Sequence, residues 1–163
     1  KVLKKKIADF ERALTPGVRA KGDKSQGRVL FETLCASCHQ LYGKGGKLGP
    51  DLTGSGRADL GYLLENIVAP NSVIPAEYQM SLITLTDGRV LSGVVSSSDK
   101  QSMILKTLTD EVVIGKESVV KSTRLPDSVM PPGLLDTLSP EQTRDLIAYL
   151  MHPQQVALPD KRR

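Results

Sequence analysis

The sequence predicts an α+β chain in which a mainly helical domain is interrupted by a small antiparallel β module. Three observations predict it. Apolar residues recur at helical spacing over the first 68 residues. The period then shifts to short Val-, Ile-, Leu- and Thr-rich runs over residues 78–123, and helix-capping signals return at Ser139. A chain of 163 residues can bury a core, yet this one has no Trp, two Phe and four Tyr, so some other apolar mass is expected to fill it.

Leu3, Ile7, Phe10 and Leu14 fall on one side of a first helix, with Lys4, Lys5 and Lys6 largely elsewhere. Thr15, Pro16 and Gly17 end it, so residues 1–22 read as an amphipathic helix followed by a basic linker. Asp23 is the expected N-cap of a second helix, with Gln26 as its reciprocal partner and Gly27, Leu30, Phe31 and Leu34 on one face. Glycine at 27 lowers helix stability, which points to close approach by a neighbour. Residues 42–56 hold six glycines and read as loop. Leu60, Leu63, Leu64, Ile67 and Val68 then give a half-buried helix that stops before Pro70.

Over 78–123 the Asp87-Gly88 pair reads as a two-residue hairpin turn, and the Ser96 to Lys100 cluster and Thr109-Asp110 separate further strands. Strand spacing predicts a small antiparallel barrel of about five strands. Ser139, Pro140 and Gln142 form the capping box of a last helix whose apolar face is Leu146, Ile147, Tyr149 and Leu150. The helical domain is thus split between 23–77 and 124–153, and residues 154–163 read as a loose tail.

The net charge of +4 is unevenly placed. Residues 1–30 carry nine Lys or Arg against three acids, and the remainder is slightly acidic. No aromatic residues alternate with those bases, so nucleic-acid binding is not expected. No apolar run reaches the ~18 residues of a membrane span, and none resembles a signal peptide. The sequence begins without Met, which points to a piece of a longer, exported protein.

Both cysteines lie in Cys35-Ala36-Ser37-Cys38-His39. Two cysteines separated by two residues place their sulfurs where both vinyl groups of a haem can form thioethers, and the next residue is directed at the iron. A thioredoxin-like couple would follow a strand and open a helix, whereas here a helix precedes the motif. A structural zinc would need four ligands, and His152 is distant with no second cysteine pair. A single covalent haem c is therefore expected on Cys35, Cys38 and His39, and it would supply the missing apolar mass.

The His39 imidazole needs a carbonyl to orient it, for which Pro50 is the candidate; a plain turn is the other reading of Gly49-Pro50. For the second axial position the candidates are Met80, Met103, Met130, Met151 and His152. Met80 and Met103 fall in expected strands, where packing is their usual work, and Met151 and His152 end the last helix. Met130 sits in Ser128-Val129-Met130-Pro131-Pro132-Gly133, where two prolines stiffen the backbone enough to hold a weak thioether. Arg57 is either a partner for a haem propionate or a solvated residue in the first turn of a helix.

With the Cys-x-x-Cys-His motif, GPDLTG, SVMPPG and DLIAYL together, the chain resembles a class I cytochrome c; Gly27, Phe31 and Tyr149 match the helix crossing typical of that fold. GPDLTGSGR, NIVAPNSVIPAEY, LTDGRVLSG and SVMPPGLLDTLSPEQTRDLIAYL are similar to the Planctomycete/Verrucomicrobium-type haem-binding domain, over residues 23–152. The resemblance implies thioethers at Cys35 and Cys38, iron ligation by His39 and Met130, the Pro50 contact, and a periplasmic or otherwise exported one-electron carrier. Its partner would be a redox protein or an upstream dehydrogenase, and it would not itself be an enzyme. LTDGRVLSG also resembles Sm-like and SH3-like barrels, and the insertion is read as a docking or shielding element. Two alternatives remain: a haem-based sensor or peroxidase-like enzyme with a labile sixth ligand, and a docking domain whose β insertion binds a partner.

Overall fold

The computed structural model describes residues 1–161, and the last two residues of the expected tail lie outside them. Helix α1 (Val2–Ala13) lies along α4 (Leu60–Val68). Ile7 and Phe10 pack against the core and Leu14 is buried, while Lys6 Nζ meets Asp136 Oδ2 at 2.6 Å. The expected linker contains a further helix, α2 (Pro16–Ala20). The residues that stop α1 also start α2: the Thr15 hydroxyl accepts from Val18 N, and Pro16 pre-sets the first helical φ.

Helix α3 (Lys24–Leu34) is capped by Asp23, whose carboxylate accepts from Gln26 N. The reciprocal bond comes from elsewhere than expected. The Asp23 amide donates to Asp145 Oδ1 at 2.9 Å, so the last helix, α5 (Pro140–Met151), supplies the acceptor that the sequence assigns to Gln26. A Cβ on Gly27 would collide with the Asp145 carbonyl and stand 2.6 Å from Tyr149 Cβ. The absent side chain is what lets α3 and α5 cross, and beside the crossing the Phe31 and Tyr149 rings meet with centroids 5.8 Å apart. Ser139 and Gln142 form the capping box of α5 with both bonds made.

These helices share one core, in which Phe31, Leu41, Leu64, Leu135, Ile147 and Tyr149 are buried. The carboxyl tail is partly tied to it, contrary to the loose segment expected. Arg28 Nη1 donates to the Val156 carbonyl, and the Tyr149 hydroxyl donates to Gln155 Oε1. Among the described residues no helix is long and apolar enough to cross a membrane.

The glycine-rich loop holds a small hairpin, β1 (Gln40–Leu41) with β2 (Lys44–Gly45), turned by Tyr42 and Gly43, both at positive φ. The β module is β3 (Met80–Leu85), β4 (Val90–Ser98), β5 (Ser102–Lys106), β6 (Glu111–Gly115) and β7 (Val119–Arg124), all antiparallel in the order β6-β5-β4-β3-β7. Five antiparallel strands form as expected, but the barrel is not shown: among the described residues β6 and β7 are the two ends of the sheet, with no ladder to close it. Alternation predicts strands equally well in open and closed sheets, so it could not decide closure. Charged Glu111 on β6 and Lys121 and Arg124 on β7 are exposed along those edges, the usual protection of an unpaired strand.

Two turns also move. The β3–β4 turn is closed by Gly88 N donating to Leu85 O, so Thr86 and Asp87 are its centre and Gly88, at φ +87°, follows it. Ser96 to Ser98 belong to β4, and the turn to β5 is organised by the Asp99 carboxylate accepting from Gln101 and Ser102. The module has a smaller core of its own, built on Ile83, Leu85, Met103, Leu105 and Ile114. It is closed at its base where Leu125 N donates to Met80 O and Gln79 Nε2 to Leu125 O.

Candidate functional site

The first turn past α3 contains the motif. The amides of Cys38 and His39 both donate to the Cys35 carbonyl, which brings the two sulfur-bearing residues and the imidazole onto one tight turn. Cys35 and Cys38 are both free thiols and half-buried. Burial, and secondarily the neighbouring Cys38, push the Cys35 thiol up to about 12.

The glycine loop then folds over the motif. Gly46 N donates to Ala36 O, Gly49 N to Cys38 O and Leu52 N to Gln40 O. Three of its glycines touch the motif too closely for any side chain. A Cβ on Gly46 would collide with the Ser37 carbonyl. A Cβ on Gly45, which sits at φ +125°, would collide with the His39 carbonyl, and one on Gly49 would stand 2.7 Å from His39 Cε1. Gly49 therefore lies flat against the imidazole, and the next residue holds it: His39 Nδ1 is 2.8 Å from the Pro50 carbonyl oxygen. A carbonyl can only accept, so Nδ1 carries the proton and Nε2 keeps its lone pair for a metal.

Met130 is half-buried and packs against the helical core. The other thioethers are occupied differently. Met103 is in the core of the sheet, Met80 opens β3, and Met151 Sδ accepts from Arg19 Nη1 at 3.2 Å. His152 caps α5, and its carbonyl accepts from the Tyr42 hydroxyl.

Of the two sequence readings of Arg57, the solvated one does not hold: the residue is 7% exposed. Its Nε donates to Thr53 O, and its Nη1 donates to the carbonyls of Leu150 and His152. The guanidinium also lies 5.0 Å over the Tyr42 ring. The side chain turns inward because the carboxyl end of α5 presents carbonyls with no partner in their own helix, and Arg57 and Tyr42 satisfy them. Sequence reasoning missed Tyr42 in this role; a tyrosine beside a glycine in a tight turn carries no signal for it. It also passed over Asn71, whose side chain accepts from Ser128 N two residues before Met130. The Pro70-Asn71-Ser72 turn signature was its only trace.

Two hollows of about 400 and 220 Å³ lie beneath α1, and none of Cys35, Cys38, His39, Pro50, Arg57 or Met130 lines them. The size of a hollow does not locate this site; its chemistry does. The free thiols at the right spacing, the oriented imidazole and the side-chain-free surface against it fit a covalently held haem.

The family model described as Cytochrome c matches residues 25–80, and no curated protein matches the chain. The matched stretch includes α3, the motif, the glycine loop and α4. Residues 25–80 are thus similar to the cytochrome c family, which supports a haem-based electron carrier of class I and implies one covalently bound haem c at a single Cys-x-x-Cys-His site.

Proposed function

We propose that the chain is a monohaem c-type module that passes one electron at a time, with His39 and Met130 as the two axial ligands. The observation that carries the reading is the 2.8 Å contact between His39 Nδ1 and the Pro50 carbonyl, beside a glycine that leaves the ring no room to tilt. Cys35 and Cys38 would hold the group as thioethers. Pro50 fixes the imidazole tautomer and strengthens its donor nitrogen. Bound haem supplies a ferric/ferrous couple, and a thioether from Met130 would favour the ferrous form. Support for Met130 comes from its burial against the helical core and from the separate engagements of Met103 and Met151.

The narrower reading is a Planctomycete/Verrucomicrobium-type domain working outside the cytoplasm. It would accept electrons from a fused or partner dehydrogenase and deliver them to a second carrier. That reading rests on the NIVAPNSVIPAEY and SVMPPGLLDTLSPEQ segments and on the export that thioether maturation ordinarily accompanies. Protein matured in an export-competent host should carry one haem resistant to acid-acetone extraction. Its low-spin ferric spectrum should include a weak far-red sulfur-to-iron band that Met130→Ala removes. An extractable haem, or a band indifferent to Met130, would sink the proposal.

A further inference from the structure

The Ala-Pro-Asn-Ser stretch after α4 has no part in holding the haem as described so far. Pro70 is buried, and the Ser72 amide and hydroxyl both return to the Ala69 carbonyl, so Asn71 sits at the corner of a closed turn. That turn is anchored by α4, whose Leu63, Leu64, Ile67 and Val68 are buried. The Asn71 carbonyl oxygen accepts from Ser128 N at 2.7 Å. In turn, the Ser128 hydroxyl accepts from Met130 N at 3.1 Å. The two bonds make a relay from the rigid end of α4 to the backbone of the candidate ligand.

The sequence makes this relay hard to replace. Pro131 and Pro132 have no amide hydrogen, so over residues 130–132 the Met130 N–H is the single backbone donor by which the segment can be fixed. Without Asn71 and Ser128 the thioether would be held by packing alone. A methionine sulfur is a weak ligand, and small freedom in its backbone shows as easier displacement.

We propose that Asn71 is a positioning residue for Met130, acting through Ser128 to keep the thioether on the iron. This rests on Met130 being the second ligand and goes beyond it by naming what holds it there. Asn71 touches neither the motif nor the segment that cradles His39, so its removal leaves the thioether sites and the imidazole as they are. Its side chain is exposed, and losing it opens no cavity.

The test is cyanide affinity of the ferric holoprotein, measured with the far-red band. Loss of one link should make cyanide bind roughly fivefold tighter, the population shift expected from one net hydrogen bond. Asn71→Ala and Ser128→Ala should each show it, and the double variant should be no worse than either single one, because both break the same relay. Asn71→Asp, which keeps the acceptor, should stay within about twofold of wild type. If both alanine variants bind cyanide as wild type does, the proposal is overturned; it is also overturned if they lose only resistance to denaturant. A wild-type protein without the far-red band would show instead that Met130 is not a ligand, and the positioning role would fall with that reading.

Discussion

The helical part and the sheet are held by different kinds of constraint. Around the motif the decisive contacts are made by atoms that are missing. No Cβ fits between α3 and α5 at Gly27, or between the loop and the imidazole at Gly49. In the sheet one glycine is shut in the same way, Gly93 against the Lys106 carbonyl, but the remaining constraints are ladders and alternation, with a core of five residues and two exposed edges. The first kind names its neighbour and therefore points to a ligand. The second kind tolerates any apolar residue of suitable size on the inner face, and it says little about purpose.

That contrast can be broken most strongly at Gly27. Gly27→Ala drives a methyl into the Asp145 carbonyl, and the helices can separate only by uncovering Tyr149 and Phe31. The loss should reach about 3 kcal/mol or more, read by denaturant unfolding of the holoprotein, with amide protection in β3–β5 persisting after the helical part has opened. Simultaneous loss of protection everywhere would mean that the two parts are one cooperative unit.

Met103→Ala is the matching change in the sheet. It removes a buried side chain from the smaller core and should cost about 2 to 3 kcal/mol. The far-red band should not change. A band that weakens with it would show that the sheet supports the second ligand directly.

At ordinary pH the smallest effect, growing only above pH 9, concerns the protein before attachment. Burial raises the Cys35 thiol from 9.0 to about 12, so the folded apo chain keeps its proton when the unfolded chain gives it up. That contribution is constant below pH 9, and stability falls as pH rises from 9 toward 12. Denaturation midpoints of the apo chain should decline over that window less steeply in Cys35→Ala. In the matured protein, where the sulfur is a thioether, this component should be absent.

The helices could be read closely from the sequence because capping and apolar spacing are local. Ser139 with Gln142 and the run from Leu60 to Val68 needed no tertiary knowledge. The motif and the Pro50 contact were readable for the same reason, since a fixed chemical group imposes fixed spacing. What escaped were contacts between distant segments. Asp145 took the place of Gln26 at the start of α3, and Arg57 turned to the end of α5. Barrel closure depends on curvature, which a two-residue period does not encode.

At the base of the sheet the chain departs and returns through adjacent residues, Met80 and Leu125, whose backbones are bonded at 2.8 Å. A lobe attached through so narrow a neck can be exchanged or excised by one short splice, because no helix has to change length or direction when it goes.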